Sequence, residues 1–566
     1  MRILRWLPRL LIPLAVAAAL LVDARVDRTP AEAAALNDEV PTQIEVPAPS
    51  ALTSSWFCPV VGMRVISPGF GEITTELLLT NMTGTSVSVS VELRGRTTGR
   101  QFVTADVAPL STGVVNIADY ARDEIVGALV EASSGGLAVT RRFSSPLGID
   151  EARCSSVLAA NWYVPVGDTQ ADALGVIAIM NPLPRDAIVD ITFATEAEFG
   201  PFVVPELTGV VIPAWSSVAF DLGQHARRRD VVAASVQART GRIAADSFAI
   251  YDGSVGRRGF AAELASVSLS ETWLVPAAGI DGETQLSVRV FNPTDEVAQV
   301  VAELAVAGAE SDRVAFAIAA HDVLELTVEP PSDRAPGLDS LLAPAGVPLG
   351  ISVTGQNDVP FVVWAETLVG SAANPLTDIP VASAPAEDTT EPADDPSLTP
   401  SVTVVAQPDV SPDTSSEAAS ALSDGSGPQD NSDDPEIAVA EVLPPVLAAR
   451  SGLASVPGIG VERERWLVVA PAEPGVETFL TIVRAPPQPA GEGESPDEGE
   501  GDRRVVIGTL HRETVAVVDV PASGVVTHRL TSGTTRIVVS DVPFAVLLWQ
   551  SRSGGAGLSV AHPVGW

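Results

Sequence analysis

Lysine is absent from this 566-residue chain, so every one of its 34 basic side chains is arginine, and these stand against 71 acidic side chains. The resulting formal charge of −37 repels phosphate backbones and anionic lipid headgroups. The composition therefore argues against nucleic-acid binding and against membrane binding through a basic patch.

Cysteine and histidine are also scarce. With two cysteines the chain has no C-x-x-C pair, which excludes a zinc ribbon, a thioredoxin-type redox site and haem attachment. Its five histidines form no H-E-x-x-H pattern, and no G-x-S-x-G elbow, Walker loop or dinucleotide fingerprint occurs. We therefore expect a non-enzymatic protein without metal or cofactor, and no catalytic residue is nominated. A Ser-His-Asp triad assembled from distant residues stays open at this stage.

Long apolar runs are confined to the N-terminus. Three arginines precede the thirteen apolar residues from Leu10 to Val22, and small residues fit a cleavage site after Ala24. We predict a signal peptide over 1–24, with an uncleaved N-terminal membrane anchor as the alternative, followed by a flexible segment over 25–51. Export places the chain in an oxidising compartment, secreted or associated with the cell envelope.

The two cysteines then predict one disulfide. Cys58 lies two residues after Trp56, in what reads as the first strand of a unit. Cys154 follows the closing strands of the same unit. Because the first and last strands of a sandwich end near one another, we expect Cys58 and Cys154 to be bonded.

A repeat organises the rest of the chain. Four similar segments begin at a tryptophan: WFCPVVGM at Trp56, WYVPVGDT at Trp162, WLVPAAGI at Trp273 and WLVVAPAE at Trp466. Each is followed by a short apolar strand, a turn and a strand with alternating apolar residues. Asn-Pro stands at the turn in the second and third copies. Each copy holds about seven strands in roughly 100 residues, as in a β-sandwich. The repeated tryptophan is predicted to fill the core; an exposed platform for sugar stacking is the alternative.

The predicted fold is all-β, with tandem immunoglobulin-like antiparallel β-sandwich modules and a disordered acidic linker. The modules are expected over 52–155, 156–269, 270–380 and 456–566. The linker, 381–455, is rich in Pro, Ser and Asp, and 381–436 holds acidic residues but no basic or aromatic one.

The segments WFCP, NWYVPVGDT, MNPLPRDAIVDI and IPAWSSVAFDL resemble the secreted actinobacterial proteins of domain-of-unknown-function family 5719. The resemblance implies an exported, envelope-associated protein and brings no catalytic residues. We expect a scaffold or binding protein whose partner is an unknown envelope protein or glycan. The alternative is a secreted glycan- or peptide-active enzyme with its site between modules.

Overall fold

The computed structural model describes the N-terminal three modules almost continuously and the C-terminal part mainly through its strands. The described residues are 46–63, 73–96, 98–123, 125–145, 148–196, 201–252, 258–277, 280, 284–306, 312–331, 340–345, 347, 349–369, 452–457, 459–460, 465–469, 476–484, 503–509, 514–521, 524–530, 535–540, 544–552, 558–561 and 564–565. They belong to one unit of the chain. The predicted signal peptide and most of the predicted linker lie outside them.

Strands dominate the described residues, which hold no α-helix, and no helix among them is long and apolar enough to cross a membrane. The first module contains β1 Ser54–Met63, β2 Thr74–Asn81, β3 Val87–Gly95, β4 Gly99–Val107, β5 Ser111–Asn116, β6 Ile125–Ala132, β7 Leu137–Ser145 and β8 Gly148–Arg153. The second contains β9 Asn161–Gly167, β10 Ala173–Asn181, β11 Ala187–Thr195, β12 Phe202–Val203, β13 Val210–Ile212, β14 Ser216–Asp221, β15 Val232–Thr240, β16 Ala244–Asp252 and β17 Arg258–Leu264.

The third module contains β18 Thr272–Ala277, β19 Thr284–Asn292, β20 Ala298–Val306, β21 Asp312–Ile318, β22 Asp322–Glu329, β23 Ser340–Leu342, β24 Leu349–Gly355, β25 Val362–Val369, β26 Gly452–Pro457 and β27 Ile459–Gly460. The fourth contains β28 Arg465–Val469, β29 Val476–Arg484, β30 Arg503–Thr509, β31 Thr514–Val520, β32 Val525–Leu530, β33 Thr535–Ser540, β34 Phe544–Arg552, β35 Leu558–Ala561 and β36 Val564–Gly565.

All four modules share one topology of eight main strands. One sheet joins the first, sixth, third and fourth strands in that order, and the other joins the fifth, second, seventh and eighth. In β3, β11 and β20 the alternate apolar residues are buried, because one face of each strand lies on the core between the two sheets. The all-β prediction of tandem antiparallel sandwiches is confirmed, and each module has one strand more than the sequence indicated.

The strand order differs from that of a constant-type immunoglobulin domain in three places. The second strand still pairs with the fifth, and the third with the sixth, as in immunoglobulin sandwiches. The first strand, however, lies beside the sixth, the fourth lies beside the third, and the seventh lies beside the second. The first, fourth and seventh strands therefore belong to the opposite sheets from those they occupy in that arrangement.

The end of each module returns to its first strand. After β8 and β17 the chain makes single bridges from Ser155 to Phe57 and from Ser266 to Tyr163. In the later modules the short strands β27 and β36 pair with β18 and β28 in the same way. The eighth strand thus belongs to one sheet and the residues after it to the other, which closes one side of the sandwich.

The disulfide between Cys58 and Cys154 is present, with the two Cα atoms 4.8 Å apart, and confirms the predicted pairing. It joins β1 to the residue that follows β8. The chain before β1 also packs on this module, since Gly136 donates to the carbonyl of Pro47 and Gly135 to that of Ala51. The predicted flexible segment over 25–51 therefore does not extend through residues 47–51.

The third module receives its eighth strand from beyond residues 370–451. β26 pairs with β25 from Gly452 opposite Val369 to Pro457 opposite Trp364. The predicted linker over 381–455 and the predicted start of the fourth module at 456 are therefore wrong at this boundary. The error arose because the tryptophan repeat marks where a module begins, whereas the eighth strand carries no comparable marker.

Consecutive modules pack sheet on sheet. The sheet that holds the first and sixth strands of one module contacts the sheet of the second, fifth and seventh strands in the next. Phe143 and Phe248 meet edge to face between the first two modules, with ring centroids 5.5 Å apart. The eighth strands contact one another as well: β17 contacts β8 and β26, and β35 contacts β26 and pairs in parallel with β8.

Candidate functional site

The repeated tryptophans lie in the cores of their modules. Trp56, Trp162 and Trp273 are all buried. The indole N–H of Trp162 donates to the carbonyl of Ile243 at 2.8 Å, whereas that of Trp56 has no acceptor among the described residues. The backbone of Trp466 lies in β28, and its side chain lies outside the described part of the chain. The three described indoles offer no exposed platform for a sugar.

The asparagine after the second strand locks the turn that follows it. In Asn181 the amide group donates to the carbonyls of Arg185, Ile212 and Pro213, and the side-chain carbonyl accepts from the backbone of Leu183. Asn81 and Asn292 make the same set of bonds and are fully buried. This repeated residue is structural, and the N-x-T triplet that begins at Asn81 does not expose its amide.

One turn position holds a different large side chain in each of the first three modules. Leu110, Trp215 and His321 precede the fifth strand and share a left-handed backbone, with φ of 49°, 58° and 57°. Large side chains adopt this conformation only where the surrounding turn imposes it. In the second module the turn presents an indole that is 41% exposed.

Trp215 belongs to a row of rings and guanidinium groups, the ladder, formed with Phe102, Arg100 and Arg94 of the first module. The Arg94 guanidinium carbon lies 4.6 Å from the Trp215 ring centroid. That of Arg100 lies 5.7 Å from Trp215 and 5.3 Å from Phe102. Phe102 is 63% exposed, so the ladder combines two accessible rings with two cations at the junction of two modules.

Glu92 fixes the cations of the ladder. It pairs with Arg94 at 2.9 Å and hydrogen bonds to Arg100. Burial alone would raise the pKa of Glu92, but the hydrogen bonds from Arg100 and Arg94 lower it below its ordinary value. The carboxylate therefore stays charged and holds both guanidinium groups beside the rings.

A second polar cluster lies buried between the second and third modules. The Tyr251 hydroxyl lies 2.9 Å from an Asp168 oxygen and 3.1 Å from a Glu366 oxygen. Arg289 bonds the other Glu366 oxygen at 2.6 Å and pairs with Glu325 at 2.9 Å. The Tyr251 hydroxyl has one hydrogen and can donate it to only one of these two carboxyl groups at a time.

Buried carboxyl groups also gather where the first module meets the second. Asp246 bonds Arg141 and the backbone of Val60 across this interface, and burial raises its pKa although Arg141 opposes the shift. Asp150 of β8 accepts from the backbone of Ala262 in β17, and burial raises its pKa well above the ordinary value. These groups join modules, and no set of three or more potential metal ligands occurs among the described residues.

Sequence reasoning singled out the tryptophans, the turn asparagines and the cysteines, and it missed the ladder and both buried clusters. Arg94 and Trp215 stand in different repeats, and only the packing of β3 and β14 brings them together. The one available signal was Trp215 itself, a large ring at a turn position that varies between copies.

The comparisons with known proteins bear on the middle of the chain. Residues 146–419 match a family described as a family of unknown function (DUF5719). The match begins near β8, covers the second module and the third module through β25, and ends before β26. No curated protein matches the chain.

Proposed function

Because residues 146–419 belong to a family of unknown function, DUF5719, we propose a function from the geometry of the modules: a non-enzymatic, extracytoplasmic scaffold that binds a cell-envelope component. The observation that carries the proposal is the ladder, in which Trp215 and Phe102 are exposed beside two arginines. Tryptophan and arginine are the residues that most often dominate binding surfaces.

The ladder favours a glycan as the ligand. The apolar face of a sugar ring stacks on an exposed aromatic ring, and the exposed guanidinium group of Arg100 can donate to its hydroxyl or carboxylate oxygens, whereas Arg94 is buried beside Trp215. The ladder is also preorganised, since Glu92 holds the cations and the strands β3 and β4 hold Phe102 and Arg100. Little ordering entropy remains to be lost when a ligand binds.

Two further features support an extracytoplasmic place of action. Disulfides such as Cys58–Cys154 persist in oxidising compartments. The N-terminal pattern of arginines and apolar residues is that of an export signal. Buried charged contacts across the first two interfaces would hold the modules in a fixed arrangement, as suits a scaffold.

The test is retention of purified protein on immobilised envelope polysaccharide and, separately, on envelope protein. We expect retention on polysaccharide, and a loss of at least about thirtyfold in affinity for Trp215→Ala and Phe102→Ala, the size of an interface hot spot. Tyr120→Ala is the matched control, because Tyr120 is another exposed ring of the first module outside the ladder. Retention on protein alone would assign the ladder to a protein partner, and unchanged binding by both variants would refute its role.

The buried cluster of Asp168, Tyr251 and Glu366 supports the second candidate, a hydrolase with its site between modules. Two carboxyl groups that share one hydroxyl could divide the roles of acid and base. Their burial argues for a structural role instead. Release of new reducing ends or new amino termini from envelope material, lost in Glu366→Gln, would favour the enzyme.

A further inference from the structure

Among the eighth strands of the four modules that the structure describes, that of the third module is joined to its seventh strand by the longest connection. In the first, second and fourth modules only residues 146–147, 253–257 and 553–557 stand between the seventh and eighth strands. In the third module the whole of 370–451 stands between them. A short hairpin forces its two strands to pair, whereas a long connection leaves the pairing to the contacts that the strands make.

We propose that β25 and β18 form a strand-acceptor site for β26 and β27, so that the protein remains assembled as a noncovalent two-part complex after the chain is cut between β25 and β26. The ligand class is an extended, uncharged segment with the pattern of GLASVPGIG. Its recognition is by main-chain pairing at a sheet edge.

The site engages both sheets of the sandwich. β26 pairs along β25 over six residues, and then Ile459 and Gly460 pair with Leu274 and Trp273 of β18. Without these residues β25 would be an open edge of its sheet, which is the kind of edge that recruits another strand. The segment therefore pairs with β25 of one sheet and with β18 of the other, and a shift of its residues along β25 would break the pairing with β18.

The acceptor edge is also built on buried residues. Trp364 and Ala365 of β25 are buried opposite Pro457 and Val456, and Glu366, bonded to Arg289, lies opposite Ser455. An exposed edge would leave backbone donors of β25 unpaired beside this core, which costs free energy for each one. Filling the edge therefore stabilises the third module and its contact with the second.

Further contacts hold the rest of the C-terminal part. Leu274 of the third module packs with Val483, Val525 and Ala545 of the fourth. Gly350 allows this close approach, since a Cβ at that position would lie 2.5 Å from a Val483 methyl carbon. Together with the pairing of β35 on β8, these contacts attach residues 452–565 at several places. The covalent connection adds only an effective concentration of about millimolar or less.

The experiment uses the full chain with a specific protease recognition sequence inserted after Ser411. After cleavage, we expect both parts to elute together at the volume of the uncut protein, also after dilution to about 100 nM, and to separate only in denaturant. Separation of the two parts of the cleaved wild type at micromolar concentration would overturn the proposal, and this arm depends on no strand variant.

A second arm tests the strand itself. Successive backbone N–H groups of a strand point to opposite sides, so either Ala454 or Ser455 directs its N–H toward β25. Proline has no N–H, and the double variant with Ala454→Pro and Ser455→Pro therefore lacks that donor. We expect the cleaved variant to associate at least tenfold more weakly, and Ser401→Pro, outside the strand, to leave association unchanged. A labelled peptide of residues 451–461 should bind the cleaved variant, and a scrambled peptide should not. Association of the variant as tight as wild type, or no binding of the peptide, would show that the fourth module docks without an acceptor site.

Discussion

Replacing Trp56 and Trp162 by phenylalanine should have different costs, although both residues occupy the same place in their modules. Both indoles are fully buried, so the loss of the larger ring leaves a comparable cavity in each core. The difference lies in the N–H group. Trp162 donates to Ile243 at 2.8 Å, whereas Trp56 has no acceptor among the described residues.

The magnitude follows from these bonds. Trp162→Phe removes a buried hydrogen bond worth about 1 kcal/mol, and the Ile243 carbonyl keeps one other donor, Ala159. Trp56→Phe removes a buried donor without a partner and recovers the cost of its desolvation, about 1–3 kcal/mol. Trp162→Phe should therefore destabilise its module by about 2–4 kcal/mol more than Trp56→Phe destabilises the first.

The assay is native-state hydrogen exchange, because it reports the stability of each module separately. Amides of β6 report the first module and amides of β15 the second. Trp215→Phe is the control, since this exposed ring should change neither by more than about 0.5 kcal/mol. Equal losses of protection for Trp56→Phe and Trp162→Phe would refute the reasoning.

Three further predictions concern stability, each followed by thermal or urea unfolding. Asn181→Asp should destabilise more than Asn181→Ala, because a carboxylate would face three carbonyl oxygens where the amide now donates; the reverse order would contradict the lock. Asp150 has a pKa above its unfolded value, so its contribution to stability is full below about pH 4 and is lost as the pH rises through the folded pKa. Asp150→Asn should therefore reduce the fall in melting temperature between pH 4 and pH 8. The same fall in the variant as in the wild type would show that Asp150 does not cause it. Replacing Cys58 and Cys154 by serine should cost about 2–5 kcal/mol in the first module, and no loss would show that the closed loop constrains little.

The sequence predicted the parts of the fold that depend on local pattern. In strands such as β3 apolar and polar residues alternate because one face of the strand is buried, and this alternation can be recognised from the sequence alone. The tryptophan spacing located the start of each module, and Cys58 and Cys154 were correctly paired. The tryptophan spacing repeats along the chain and the disulfide follows from cysteine chemistry, so both could be predicted from a single sequence.

The eighth strand could not be found in that way. In β8 and β17 the buried residues include Asp150, Glu151 and Glu263. Because acidic residues are usually exposed, the sequence of these strands does not show the apolar pattern of a buried strand. Two of these carboxyl groups have partners in the structure: Ala262 of the second module donates to Asp150, and Arg142 of the first module bonds Glu151 of the same module. The ladder was missed for a related reason, since contacts between modules leave no periodic trace in the sequence.

The described residues form four copies of one sandwich, of which the third is completed by strands that follow residues 370–451. Hydrogen exchange of the peptide that covers 452–460 in the uncut protein tests this most directly. We expect slow exchange, comparable with that of β17, which holds the same place in the second module. Exchange at the rate of an unstructured peptide would contradict it.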